Sequence, residues 1–430
     1  MLDNNPIKIY IKSKYPRVFK VIKYPKEKLV ILWHNIEYLL YRFYIVYRVP
    51  VILKKKKIRV LFVLAELASW KTELLYLKML KHPKFEPVIG ITTNTIEAPG
   101  SKPILEKYIM EKEYDYVDLD LSPKSIDKIH PDFILYYKPY DGSYPPEQVF
   151  WRHIRVIPLG IAYAFNITDL KQHFKQPLYY WPYIYFAENE FTKQSFKKAI
   201  GFKSYNIRVT GTPMEDELLL PKENFEDQWK DRTGRKRIIY APHHSFDGTN
   251  GKGLELATFL VNGEFMLEMA KKYSDKVTFA FKPHPNLRKK LNNIWGKERT
   301  DAYYHEWESL EYAQVDYGDY MGLFKYSDAI IHDCGSFTIE YLFMQKPSMY
   351  MVNGSEDRVK AELNDFGKKA FECYEHGLTH EQIEAFINEV INGEDKLKDK
   401  RQEFLDKYLK PPYGRTACEN IIRSILGEKL

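Results

Sequence analysis

Short apolar runs, each stopped by a turn and followed by a stretch of helical period, recur from residue 58 onward, and the series starts over once. Arg59 to Ala65, Pro87 to Ile91, Phe133 to Tyr136, Ile154 to Ile157 and Ile184 to Ala187 read as strands, and Arg208 to Pro213 as a last strand and turn. Helical patterns lie between several of them, the clearest from Asn189 to Ile200 with Gly201 closing it. A polar, charged stretch, Asn224 to Lys236, then reads as a linker. The pattern restarts with strands at Arg237 to Tyr240 and Val277 to Phe281 and a helix at Leu254 to Lys272. Strand–helix alternation of this kind predicts a mostly parallel sheet covered on both faces. Two such series predict an α/β protein of two doubly wound lobes with a cleft between them, residues 58–223 and 224–410. The helix Thr416 to Leu426, after Pro411-Pro412, is free to cross back as a segment of its own, 411–430.

Three strand ends in the second half carry unusual chemistry. They are APHHSF (Ala241 to Phe246), FKPHPNL (Phe281 to Leu287) and DCGSFTIE (Asp333 to Glu340). Strands of one parallel sheet open at one edge, so these turns converge. They offer His243, His244, Lys282, His284, Ser336 and the start of a helix from Phe337 to Phe343, with Ser336 as its N-cap. Donating and cationic groups around such a turn suit a diphosphate. Pro283 and Pro285 flank and stiffen His284. No carboxylate accompanies the histidines at ligand spacing, so no tightly bound metal or other cofactor is expected. Asp118-Leu119-Asp120 imitates a metal-binding Asp-x-Asp but reads as surface. Gly248 to Gly253 lacks phosphate-loop spacing and reads as a flexible loop at the cleft mouth.

Charge is segregated. Residues 1–57 hold 14 Lys+Arg against three Asp+Glu, whereas the whole chain of 430 residues carries only +7. The body is therefore mildly acidic, which argues against a nucleic-acid partner. In the basic segment, Lys and Arg interleave with Trp, Tyr, Phe and Ile. Glu37, Arg42 and Arg48 make a membrane span costly. The segment is expected to lie on an anionic membrane surface, where each nearby Lys or Arg contributes about 1 kcal/mol. The three cysteines form no CxxC pair and suit a reducing cytoplasm.

The ordered set GTPMEDELL, IIYAPHHSF, FKPHPNL and SDAIIHDCGSFTIEYLFMQKPSMYM resembles the CDP-glycerol glycerophosphotransferase family of teichoic acid and surface-glycan enzymes. The resemblance implies a GT-B fold. It implies transfer of a polyol phosphate from a CDP-activated donor to a hydroxyl of a lipid-linked acceptor, with release of CMP, at the cytoplasmic face of the membrane. It places Lys282 and His284 on the donor phosphates and Ser336 and Phe337 at the pyrophosphate. Glu340 falls near the ribose or glycerol hydroxyls, and Gly211, Pro213 and Gly160 belong to the binding turns. Two positions depart from the family. The first lobe has Ile157-Pro158-Leu159-Gly160 where the family carries a His-Gly-Thr base, and Ala241-Pro242 continues with His243-His244. The departure leaves His243 or His244 as the candidate replacement base, with His284 expected as a third catalytic histidine. Met214 stands where a basic residue is usual. Alternatives are a nucleotide-sugar glycosyltransferase or epimerase of the same fold, and an inactive membrane-docked scaffold.

Overall fold

The computed structural model describes residues 16–67, 70–93, 101–121, 125–137, 156–162, 164–168, 177–245 and 257–430. The loop Gly248 to Gly253 lies outside them.

The first lobe is a seven-stranded sheet: β1 (Ile58–Leu64), β2 (Phe85–Ile91), β3 (Tyr116–Asp118), β4 (Phe133–Tyr136), β5 (Ile157–Ile161), β6 (Tyr185–Ala187) and β7 (Ile207–Val209). Its order is β3-β2-β1-β4-β5-β6-β7, and every pairing is parallel. The second lobe repeats the plan with β8 (Lys236–Ala241), β9 (Val277–Phe281), β10 (Ala313–Val315), β11 (Ala329–His332), β12 (Ser348–Met351) and β13 (Glu375–Gly377), again all parallel. Its order is β10-β9-β8-β11-β12-β13. The reversal of order falls between β1 and β4 in one sheet and between β8 and β11 in the other. The fold is the two-lobed GT-B type, with ligand crevices expected at those two points.

Several sequence expectations shift. The strand expected at Ile154 to Ile157 runs from Ile157 to Ile161. The polar stretch Asn224 to Lys236, which connects the two sheets, packs on the second lobe. Trp229 is fully buried in the second lobe and donates its indole N–H to the Leu323 carbonyl at 3.0 Å, and Arg237 holds Asp227 at 3.0 Å. One aromatic anchor outweighs the polar composition around it.

The chain re-enters the first lobe at its end. The helix Ala417–Leu426 places Cys418, Ile421 and Ile425 in the first-lobe core. Asp216, buried in the helix Pro213–Leu219, accepts from the backbone N–H of Ala417 at 2.7 Å and of Cys418 at 2.8 Å. A carboxylate at a helix N-terminus satisfies orphan donors and opposes the helix dipole. Gly211 (φ +74°) makes the close approach possible. A Cβ there would stand 2.5 Å from Glu215 Oε2 and 3.0 Å from the Ala417 Cβ.

The N-terminal segment is one helix, Pro16–Leu53. From residue 33 its two faces differ. Tyr38, Tyr41, Ile45, Val49 and Ile52 are buried on the first lobe, and Tyr41 stacks on Trp181 with centroids 5.0 Å apart. Trp33, Ile36, Leu40, Phe43 and Tyr47 form an apolar stripe on the other side, with Phe43 74% and Tyr47 75% exposed. Among the described residues, no helix is long and apolar enough to cross a membrane.

Asp216→Ala should cost about 2–3 kcal/mol of stability, because it strands two buried N–H groups at a helix start. Chemical denaturation reads this out. A loss below about 0.5 kcal/mol would mean that the helix Ala417–Leu426 is held by its apolar face alone.

Candidate active site

The C-terminal ends of β8, β9 and β11 do converge. The imidazoles of His243 and His244, past β8, have centroids 4.3 Å apart. His284, past β9, lies 4.7 Å from His243 and 4.0 Å from His244. All three rings are half-buried. The turn after β11 stands beside them.

Asp333 fastens these turns together. Its carboxylate is fully buried. It accepts from His243 N–H at 2.6 Å, from Thr258 N–H at 2.5 Å and from the Thr258 hydroxyl at 2.8 Å. Thr258 is the residue before the helix Phe259–Lys272. One side chain therefore sets the β8 turn against the β11 turn and a helix start. Burial pushes the Asp333 carboxyl up to about 6 despite these donors. The sequence reading passed over Asp333, which stands first in the DCGSF turn.

Local hydrogen bonds fix the state of two histidines. The Asn286 backbone N–H donates to His284 Nδ1 at 3.1 Å, and the Ser245 N–H donates to His243 Nδ1 at 3.3 Å. A neutral imidazole that accepts at Nδ1 carries its proton on Nε2. Burial, then the neighbouring imidazoles, lowers His243 to about 2. Burial, then His244, lowers His284 to about 3, and Lys290 adds to both. Both rings are thus neutral N–H donors. Ligand atoms of the three histidines all fall within 4.8 Å, a spacing that could gather a metal ion. Ligation through Nε2 would require those two protons to move, so the donor set fits an anion better than a cation.

Ser336 is exposed at the cleft. The expected helix Phe337 to Phe343 is instead a single α-turn, Phe337–Glu340, followed by a 3-10 turn, Tyr341–Met344. Ser336 itself has helical angles (φ −66°, ψ −43°) and makes no capping bond; its hydroxyl meets Cys334 Sγ at 3.3 Å. Phe337 packs on Tyr320 and Phe324, with centroids 5.0 and 4.9 Å away. Glu340 is buried, and its Oε2 has no hydrogen-bond partner. Burial raises its carboxyl, while Lys71 and a hydrogen bond from Tyr320 oppose the rise. Lys71 belongs to the first lobe and reaches the Tyr320 hydroxyl at 2.5 Å, so Glu340 sits where the lobes meet.

Other expected site residues are placed elsewhere. Lys282 is turned aside: its ammonium is buried against Asp316 at 2.8 Å and the Gly318 carbonyl at 2.6 Å, where charge pairing holds it. Gly160 lies inside buried β5, its N–H bonded to the Ile184 carbonyl at 3.0 Å. Gly211 and Pro213 form the seat of the helix Ala417–Leu426. Met214 is in the core. Asp118 and Asp120 are paired with Lys102 at 2.8 and 3.1 Å.

A bilobed α/β fold with a cluster of hydrogen-bond donors at one crevice has a place for an anionic ligand. Residues 158–427 match the family described as CDP-Glycerol:Poly(glycerophosphate) glycerophosphotransferase. The chain belongs to that family and is a glycerophosphotransferase. Among solved structures, a histidine-to-asparagine variant of the wall teichoic acid polymerase TagF is similar at 14% identity and TM-score 0.58, covering 95% of this chain and 97% of that one. The same polymerase soaked with CDPG gives TM-score 0.56 at 13% identity, over 95% and 97% of the two chains. A putative UDP-N-acetylglucosamine 2-epimerase from Listeria monocytogenes gives 0.57 at 16%, covering 86% and 96%. No curated protein matches the chain.

His284 stays neutral in the fold well below its unfolded pKa of about 6.5. Its contribution to stability is complete above that value and is lost as pH falls toward 3. Replacing it by Asn removes the loss. The difference in Tm between His284→Asn and wild type should therefore grow more positive from pH 7.5 to pH 4.5. A difference that is constant with pH would mean that the imidazole titrates freely in the fold.

Proposed function

We propose that the protein moves glycerol phosphate, or a similar polyol phosphate, from its CDP-activated form to a hydroxyl of a lipid-linked surface-glycan or teichoic-acid acceptor. CMP leaves, and the protein works as a peripheral enzyme on the cytoplasmic face of the membrane. The observation that carries this reading is the meeting of His243, His244 and His284 beside the turn that Asp333 holds and that leads to exposed Ser336. Phosphoryl transfer asks for positioning and charge neutralisation more than for covalent chemistry. The Nε2–H groups of His243 and His284, with the Ser336 hydroxyl, donate to the diphosphate oxygens. Arrival of that charge favours protonation of the same rings, which strengthens the contacts as CMP departs.

Glu340 takes the ribose hydroxyls. A buried carboxylate oxygen without a partner is costly, and a vicinal diol removes that cost. Lys282 then supports the Asp316–Gly318 turn rather than the phosphates. Since His243 and His284 present protons, the proton of the acceptor hydroxyl is assigned to His244. No tightly bound metal is invoked.

The N-terminal helix supplies the membrane contact. One face is bolted to the first lobe and the other presents Trp33, Ile36, Leu40, Phe43 and Tyr47 outward. Aromatic and aliphatic residues at that spacing suit a helix lying in a headgroup layer. The inner face also means that residues 33–53 cannot be removed cleanly, because the cut would bare the first-lobe core.

Two tests follow. With CDP-glycerol and an acceptor, His284→Ala and Ser336→Ala should lose most CMP release while the fold persists. His244→Ala should lower kcat about 10²–10⁴-fold with little change in donor KM. Near wild-type turnover in all three would sink the assignment. For docking, Phe43→Ser with Tyr47→Ser should reduce sedimentation with vesicles of neutral and anionic lipid alike; unchanged sedimentation would show that this face is not the one that meets lipid.

A further inference from the structure

Beside the outward stripe of the N-terminal helix lies a cavity of about 300 Å³, lined by Arg42, Tyr183, Tyr205, Asn206, Arg208 and Glu428 among others. It is far from the histidines: Tyr183 and Tyr205 precede β6 and β7, at the opposite edge of the first sheet from the cleft. Two guanidinium groups share it. Arg42 is half-buried and fixed, donating to the Pro182 carbonyl at 3.0 Å and lying over the Tyr205 ring at 4.5 Å. Its electrostatic neighbours include Tyr38, Tyr41 and Tyr183, and Leu430 also lines the cavity. Arg208 is exposed on edge strand β7. The acidic side chain in the lining, Glu428, is engaged by Arg423 at 3.3 Å. Lys203 flanks the group, its ammonium 4.8 Å from the Tyr180 ring centre.

The rim is apolar. Phe43 follows Arg42 on the helix, and Phe202 and Tyr205, from the 3-10 segment Gly201–Asn206, are 71% and 50% exposed. A half-buried Arg42 and an exposed Arg208, with outward aromatics near them in sequence, match a lipid headgroup: phosphate at the guanidinium groups, acyl chains against the aromatics. A free anion would have no use for the rim.

We propose that this cavity binds the phosphate of an anionic phospholipid, with Arg42 and Arg208 as its ligands. The inference rests on the reading that the outer face of the N-terminal helix lies on a membrane, and it adds a headgroup preference to that docking. A planar guanidinium already held by one carbonyl keeps further N–H donors for phosphate oxygens.

The experiment is sedimentation of the full chain with vesicles of phosphatidylcholine alone or with added phosphatidylglycerol. Three proteins are compared: wild type, Arg208→Gln, and Lys56→Gln, which removes one exposed charge outside the cavity. Arg208 is exposed, so the substitution leaves the fold intact, which thermal melting checks. Arg208→Gln should weaken binding to the anionic vesicles about fivefold and leave binding to neutral vesicles unchanged. Lys56→Gln should fall well short of that loss. CMP release onto a soluble acceptor should be the same in all three. If Arg208→Gln keeps the wild-type preference for anionic vesicles, or loses no more than Lys56→Gln, the headgroup site is overturned while docking stands. If wild type binds neither vesicle, docking fails and the site fails with it.

Discussion

Asp333 is the constraint on which the site depends. A fully buried carboxylate with donors from two other segments cannot move without leaving charge or N–H groups unsatisfied, and either is expensive in a dry interior. His243 takes its place from that bond, and the helix Phe259–Lys272 takes its start from the Thr258 contact. His284 is then packed against His243 and His244 by the β9 turn, whose His284 N–H bonds to the Pro242 carbonyl at 3.1 Å. The cluster is thus held by hydrogen bonds within the fold itself.

The lobes are joined by more than the chain that links them. Phe165 and Ile167, just past β5, belong to the second-lobe core, and the Asn364 N–H donates to the Ile167 carbonyl at 2.8 Å. Gly367 allows this approach, since a Cβ there would lie 2.5 Å from the Ile167 carbonyl oxygen. In the other direction, the helix Ala417–Leu426 carries the end of the chain into the first-lobe core.

The N-terminal helix joins stability to location. Its inner aromatic face completes the first-lobe core through the Tyr41–Trp181 stack, worth about 0.5–1.5 kcal/mol beyond buried area. Its outer face would be a liability in water, where large exposed apolar patches promote association. On the docking proposed above, a lipid surface would cover the outer stripe without disturbing the inner one.

Periodicity in the sequence determined the two-lobed α/β plan, because buried parallel strands need continuous apolar runs and helices need their own period. It also marked the three turns that lie together at the candidate site, since strand ends of one parallel sheet must share an edge. It missed β3, β10 and β13, three-residue strands too short to show a period. It did not show that the linker Asn224 to Lys236 packs on the second lobe through buried Trp229. Only tertiary structure could decide what each polar side chain faces. Lys282 looks like a phosphate ligand until Asp316, 34 residues away, claims its charge. Asp333 looks like a turn residue until Thr258, 75 residues away, is seen to donate to it. A side chain's role follows from its partners, and these partners are distant along the chain and adjacent only after folding.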